Sequence, residues 1–460
     1  MDQPNSPYDK AQAINLDPSI YGTFAEIGAG QEVANWFFRA SATAGTVAKT
    51  ISAYDMTVSD SIYGKCRRYV SRARMQKMVR YEYDLMVDRL QKDRGKSSRF
   101  FSFADTVRAR GYQDSAECHG WLGIRYQAVV GGPVGEILLH VRLLDQENVD
   151  QMEALGILGL NLIWAAYHHR LDLSRFIRSL SEFITPGRIE IDMLEFNGES
   201  FRMVDNRLCA LELVSQGLTS AAVFTEKGEV VQPSEIFYKC PLVVLRGSFM
   251  PVTHVHLDML ARSREALVAD LPEESGEKVR EVCELSLSNL LRDGEVDLVS
   301  FLDRADTLQA LGKTVMVSNC PEFHRIAATL SRFTNERICL TLSIGLLTEL
   351  FKEKWSEKLA GGILESFGRL FRSGVVLHVY PWKNRRTGEI VTADNFRAPS
   401  HLRHLYRHFH EAGLIRAIPC AEEALLEHSG REILRLAREG NPWEELVPTE
   451  ARELVKRYQP

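Results

Sequence analysis

The chain has no C-x-x-C pair. Its eight cysteines stand singly at 66, 118, 209, 240, 283, 320, 339 and 420. That spacing argues against a cysteine-rich zinc site and, in a chain of 460 residues, favours reduced thiols over a disulfide frame. Long apolar runs are missing as well. The longest, 154–167, is interrupted by Gly156, Gly159 and Asn161, is too short to span a bilayer, and reads as a buried core helix. The opening residues, MDQPNSPYDKAQAINLD, lack the basic-then-apolar order of a secretory signal. A cytoplasmic protein without a membrane partner is therefore expected. No charge of one sign prevails: the formal net charge is −5, which gives no overall field toward nucleic acid or anionic lipid, so nucleic acid is not an expected partner. What is present, 45% hydrophobic and 25% charged residues, is the make-up of a globular protein long enough for two or three domains.

The pattern of those residues predicts the fold class: α/β, a mostly parallel sheet with helices on both faces, together with an N-terminal α+β part and a helical C-terminal tail. The expected boundaries are 1–185, 186–415 and 416–460. Short apolar strand candidates lie at 189–196, 221–225, 242–246, 314–318, 338–343 and 375–380. Helical candidates lie between most of them, at 208–217, 254–269, 278–291, 296–311, 322–333 and 346–371, the last broken at Gly361-Gly362. Alternation of this kind builds a parallel sheet covered on both sides. Its ligand crevice lies at the carboxyl ends of the strands. That rule puts Arg246, Gly247, Ser248, Ser318, Asn319, Ser343 and Tyr380 on one rim.

The N-terminal part carries three further signals. The string EIGAGQE (26–32) resembles the first motif of S-adenosylmethionine-dependent methyltransferases, an acidic residue before a glycine-rich turn, and implies a bound S-adenosylmethionine with Asp55 on its ribose. Glu32 stands where that motif has its last glycine, and a helix-capping turn is the competing reading. Residues 65–110 hold fourteen Lys or Arg against five Asp or Glu, with Met75, Met78, Val79, Leu85, Met86 and Leu90 at helical spacing. This predicts an amphipathic helix whose basic face is solvated or meets a partner or a second copy of the chain. Residues 119–144 read as a β-hairpin turning at Gly131-Gly132-Pro133, on whose opposite arms His119 and His140 can face each other.

The sharpest signal is PLVVLRGSFMPVTHVHLDMLARSR (241–264): an apolar strand, a tight turn at Gly247-Ser248-Phe249, and a helix starting near His254. A strand-to-helix junction offers unpaired N–H groups and a positive dipole end to an anion. The run from Gly247 to His256 resembles the nucleotidylyltransferase signature, G-[ST]-F-D-P-[VI]-[TH]-x-G-H. Gly247, Ser248, Phe249, Pro251, Val252, Thr253 and His256 match in register. Met250 stands in place of the aspartate and Val255 in place of the glycine. The resemblance implies transfer of a nucleotidyl group from ATP, with Mg²⁺, to a small phosphorylated acceptor of the nicotinate or nicotinamide mononucleotide kind. His254 and His256 would stabilise the transition state, Ser248 and Thr253 would hold phosphate oxygens, and Arg246 would add charge, with Gly247, Ser318 and Asn319 near the nucleotide. No protein-held metal is expected. SIYGTFAEIGAGQE, KTISAYDM, HGWLGIR, VVQPSEIFYK, RGSFMPVTH, GGILESFGRLF and APSHLRHLY are similar to a bacterial family whose members are labelled nicotinate-nucleotide adenylyltransferase or TonB-dependent receptor. The receptor label requires many alternating ten-residue strands, which the sequence does not have. Two alternatives stay open: a non-catalytic, nucleotide-binding regulatory protein that self-associates, and an S-adenosylmethionine-binding protein.

Overall fold

A computed structural model describes residues 4–28, 30–111 and 116–458. The chain forms two compact units, Met1–Thr219 and Ser220–Pro460, each with its own sheet.

The first unit is built on six strands: β1 (Ile20–Gly28), β2 (Val47–Ile51), β3 (Arg99–Arg108), β4 (His119–Gln127), β5 (Val134–Leu143) and β6 (Ile189–Gly198). Their spatial order is β2-β1-β3-β4-β5-β6. β1 is parallel to both β2 and β3, and the rest is antiparallel. On one face Phe101, Phe103, Leu122, Ile124, Ile137 and Leu139 pack against the apolar helix Asn148–His168, buried as its composition predicts. The other face carries the helix Arg72–Arg94. Gly123 lets this helix come close, since a Cβ there would lie 2.3 Å from the sulfur of Met75. The hairpin 119–144 is present as expected.

Two expectations for this half are corrected. The basic stretch 65–110 is not one amphipathic helix: it ends at Arg94 and gives way to the almost wholly buried strand β3, because Phe100, Phe101, Phe103 and Ala104 belong to the core. Much of its positive charge is also paired locally. Arg80 forms a two-pronged contact with Glu136 (2.9 and 2.8 Å), Arg99 reaches Asp17 at 2.6 Å, and Arg72 pairs with Glu195. Strand 189–196 does not begin the second sheet. It completes the first, antiparallel to β5 with His140 opposite Met193.

The second unit contains β7 (Ala221–Phe224), β8 (Val230–Val231), β9 (Leu242–Arg246), β10 (Arg280–Ser286), the short hairpin β11 (Leu291–Arg292) and β12 (Glu295–Val296), β13 (Thr314–Ser318), β14 (Ile338–Ser343), β15 (Val375–Tyr380), the hairpin β16 (Trp382–Lys383) and β17 (Ile390–Val391), and β18 (Ile415–Ala417). The large sheet runs β18-β15-β14-β9-β10-β13-β7-β8. From β18 to β13 every pairing is parallel, and only the β7-β8 edge is antiparallel. This is the mostly parallel α/β architecture that the sequence predicts, with a helical C-terminal segment that includes Gly430–Arg438 and Arg452–Arg457. One expectation fails at its centre: 278–291 is not a helix, because 280–286 forms β10 between β9 and β13. The helix 346–371 is two helices, Ile344–Leu350 and Gly362–Leu370, with a loop between.

Candidate functional site

After forming the β7-β8 edge, the chain enters the parallel part of the second sheet at β9, moves outward through β10 to β13, then crosses back to the other side of β9 and continues through β14, β15 and β18. The direction of winding reverses between β9 and β14. The helices after those two strands therefore diverge and leave a crevice beyond their carboxyl ends. A cleft of about 940 Å³ lies there. Ser248, Met250, Val255 and His256 line it from the β9 side, Ser343 and Ile344 from the β14 side, and Tyr380 and Trp382 from the end of β15. The outer wall comes from much later in the chain: Arg385 and the stretch 425–432.

The turn that reaches this cleft is shaped by its residues. Phe249 adopts a left-handed backbone (φ 48°), which swings the chain off β9 into the helix His254–Ala269. Thr253 caps that helix in reciprocal fashion with His256. The backbone N–H of Thr253 donates to Nδ1 of His256 at 3.0 Å, and the Thr253 hydroxyl lies 2.9 Å from the same nitrogen. A backbone N–H can only donate, so Nδ1 is the acceptor and the ring proton sits on Nε2. Burial pushes the His256 pKa down to about 4. The imidazole is therefore neutral at pH 7, is half-buried by surface area, and lines the cleft with its donor nitrogen unspent on the cap.

Not every residue singled out from sequence meets there. His254 begins the helix but lines neither this cleft nor the smaller cavity beside it. Thr253 is buried and spent on His256. Arg246 brings no spare charge to the rim: Glu284 takes its guanidinium at 2.6 and 3.2 Å, and the carbonyls of Cys320 and Pro321 accept from it at 2.6 and 2.9 Å. Ser318 is fully buried and donates to the same Glu284. Asn319 is exposed, and its backbone N–H is bonded to the Ser220 carbonyl at 2.9 Å. Gly247 and Ser248 face the smaller cavity, of about 300 Å³, and Ser248 lines both.

Sequence reasoning missed Glu284, the buried carboxylate that ties β9, β10 and β13 together, and Arg304, whose guanidinium holds the carbonyls of Ser248 and Asn289 at 3.1 and 3.0 Å. It also missed Asp258. This carboxylate accepts from the Tyr380 hydroxyl at 2.5 Å and from the Ala421 backbone N–H at 2.9 Å, and so fastens the outer wall to the helix that carries His256. A charged residue inside an apolar run was the one available signal for Glu284; the others left none.

In the first unit the polar residues at the strand ends are turned inward. Glu26 accepts from the N–H groups of Val33 and Ala34 at 2.8 and 3.2 Å, capping the helix Val33–Arg39 and occupying the donors that a ligand would need. A Cβ on Gly30 would lie 1.9 Å from the Asp105 carboxylate, so this glycine serves side-chain packing. Asp55 caps the helix Met56–Tyr63 through the Val58 N–H at 3.0 Å. These three placements supply the physical reason for the helix-capping reading of EIGAGQE. Ala29, in the middle of the string, lies outside the described residues. His119 and His140 do meet, Nδ1 to Nε2 at 2.9 Å, and Nδ1 of His140 donates to Asp192 at 2.6 Å.

No protein-family model matches the chain. No curated protein matches it. Solved structures that align with it include a competence/damage-inducible protein CihA from Agrobacterium tumefaciens, with 18% identity over 36% of this chain and 99% of that chain at a TM-score of 0.27. A competence or damage-inducible protein from Enterobacter asburiae aligns with 16% identity over 36% of this chain and 99% of that chain, at a TM-score of 0.26. A nicotinic acid mononucleotide adenylyltransferase from Plasmodium falciparum aligns with 10% identity over 48% of this chain and 96% of that chain, at a TM-score of 0.30. At these scores none of the three weighs for or against a reading of the site.

Proposed function

We propose that the cleft between β9 and β14 binds ATP as its Mg²⁺ complex and that the protein transfers a nucleotidyl group to a small acceptor. The observation that carries this reading is the neutral His256 ring in the wall of a switch-point cleft, its Nδ1 held as acceptor and its Nε2–H left to donate. In such a transfer an acceptor oxygen forms a bond to the α-phosphorus while the bond to the pyrophosphate oxygen breaks. Negative charge grows on the non-bridging oxygens, and a fixed donor at that point lowers the barrier by electrostatics alone. Among the described residues no group of three His, Cys, Asp or Glu is arranged to hold a metal ion. The Mg²⁺ would arrive on the triphosphate, as is usual for this ion. Ser248, which lines both cavities, would contact the phosphate that moves.

Pyrophosphate release is the direct assay, with MgATP and nicotinate mononucleotide, nicotinamide mononucleotide and other phosphorylated acceptors. Turnover should fall by about 100-fold or more in His256→Ala, in line with loss of one oriented donor. His254→Ala should retain activity. No turnover above the His256→Ala background with any acceptor would end the catalytic reading. One observation favours a second reading, nucleotide binding without chemistry: Met250 and Val255 line the cleft where the resembling signature has aspartate and glycine, making that wall apolar and bulkier. Saturable MgATP binding by calorimetry with no pyrophosphate released is its expected outcome.

A further inference from the structure

The cavity of about 300 Å³ shares Ser248, Leu346 and Glu349 with the larger cleft, so whatever fills it lies beside the reacting end of a ligand in that cleft. Its size is at the lower end for small-molecule sites, enough for one ring and its substituents. Two aromatic side chains, Phe323 and Trp355, stand in its walls. Ser286 and Ser288 face it with hydroxyls 2.9 Å apart, next to Asn289. The charged residues lining it are Arg246, Glu322 and Glu349. Arg246 is the one cation among them, and its guanidinium is spent on Glu284 and two carbonyls while lying over Phe323 at 4.7 Å. Both carboxylates are themselves paired, Glu349 with Lys352 and with Lys354 at 3.0 Å and Glu322 with Arg325 at 3.5 Å, so an anion entering here would meet no lining cation with charge to spare. Aromatic rings beside hydroxyl and amide groups instead suit a ligand with C–H faces and many neutral hydroxyls.

We propose that this chamber binds a neutral polyhydroxylated ring, a furanose or pyranose unit, packed on Phe323 and Trp355 and hydrogen-bonded by Ser286, Ser288 and Asn289. The role of that ring as part of the second substrate rests on the two-substrate reading above; its binding does not. Any phosphate on the same molecule lies outside the chamber, toward Ser248.

Saturation-transfer NMR on the full chain, with D-ribose, D-glucose and inorganic phosphate as separate probes, tests the assignment. Ring protons of at least one sugar should receive saturation at millimolar affinity, weakened about tenfold in Trp355→Ala and in Ser288→Ala, two variants whose melting temperatures report that they remain folded. The signal should persist with MgATP present and should not be displaced by phosphate. Absence of a sugar signal with wild-type protein, an affinity unchanged in both variants, or displacement by inorganic phosphate would each overturn the proposal. Calorimetry with MgATP keeps the two claims apart. Sugar binding without MgATP binding upholds the chamber and sinks the nucleotide reading, and the reverse result does the opposite.

Discussion

Both units place acidic and imidazole side chains at the ends of buried strands, yet they use them in opposite ways. In the first, Glu26 caps a helix from inside, Asp105 lies against Gly30, and the His119–His140–Asp192 chain runs between neighbouring strands. In the second, Glu284 collects Arg246 and Ser318 beneath the sheet edge, while Ser248 and His256 are left to line open space. The difference follows from topology. In the antiparallel part of the first sheet His119, His140 and Asp192 find one another across neighbouring strands. A parallel sheet that reverses its winding parts its helices and leaves some of those groups facing a ligand. A polar residue at a strand end is therefore weak evidence of a site until the sheet it belongs to is known.

The comparison can be broken most forcefully at Glu284. Glu284→Ala leaves the half-buried Arg246 and the buried Ser318 without their shared carboxylate and should cost about 3–5 kcal/mol in urea denaturation. Glu26→Ala, which removes a cap from two backbone N–H groups, should cost about 1–2 kcal/mol. Equal costs would mean that the two carboxylates do the same job. His140→Ala should also cost about 2 kcal/mol, from the lost acceptor of His119 and donor to Asp192, with MgATP binding unchanged. A change in nucleotide affinity there would contradict the division of roles.

The pH dependence sharpens the contrast further. Burial, outweighing its backbone hydrogen bonds, raises the Glu26 pKa to about 7, and burial with the nearby Glu26 charge raises Asp105 as well. Between the ordinary carboxylate range and pH 7 the folded chain thus holds more protons at Glu26 than the unfolded chain. Its contribution to stability is present at the acid end and is lost as pH rises through that window. Melting curves should show a fall of under about 1.4 kcal/mol per pH unit from this group, obtained as wild type minus Glu26→Gln. His119 and His256 act with the opposite sign. Burial lowers both to about 4, so their contribution is lost as pH falls below the ordinary histidine value. The subtraction isolates Glu26 from them. The smallest effect is expected at Arg89, on the exposed side of the helix Arg72–Arg94, where Arg89→Glu should change stability by less than about 0.5 kcal/mol.

Most of the second sheet was legible because 242–246, 314–318, 338–343 and 375–380 are short runs dominated by apolar residues, as strands buried on both faces are. β10 was hidden by the residue that matters most in it. Glu284 in REVCELS, with Arg280 and Glu281 before it, imitates the charged face of a helix, and only its partners across the sheet explain a carboxylate in that place. The strand 189–196 was legible as a strand, but its alternation does not say which sheet it pairs with. At the site, the turn at Gly247-Ser248-Phe249 and a histidine near the start of the next helix were readable from residue types, but the capping role of His256 was not. The far wall was not, since Trp382, Arg385 and 425–432 come together with residue 248 only through packing.

The Asp258 anchor has a consequence for the order of events in the cell. Because the Ala421 amide and the Tyr380 hydroxyl share one carboxylate on the helix that carries His256, the cleft acquires its second side only once the chain just beyond β18 is in place. A chain that stopped before residue 425 would lack that wall and leave His256 on an open ledge.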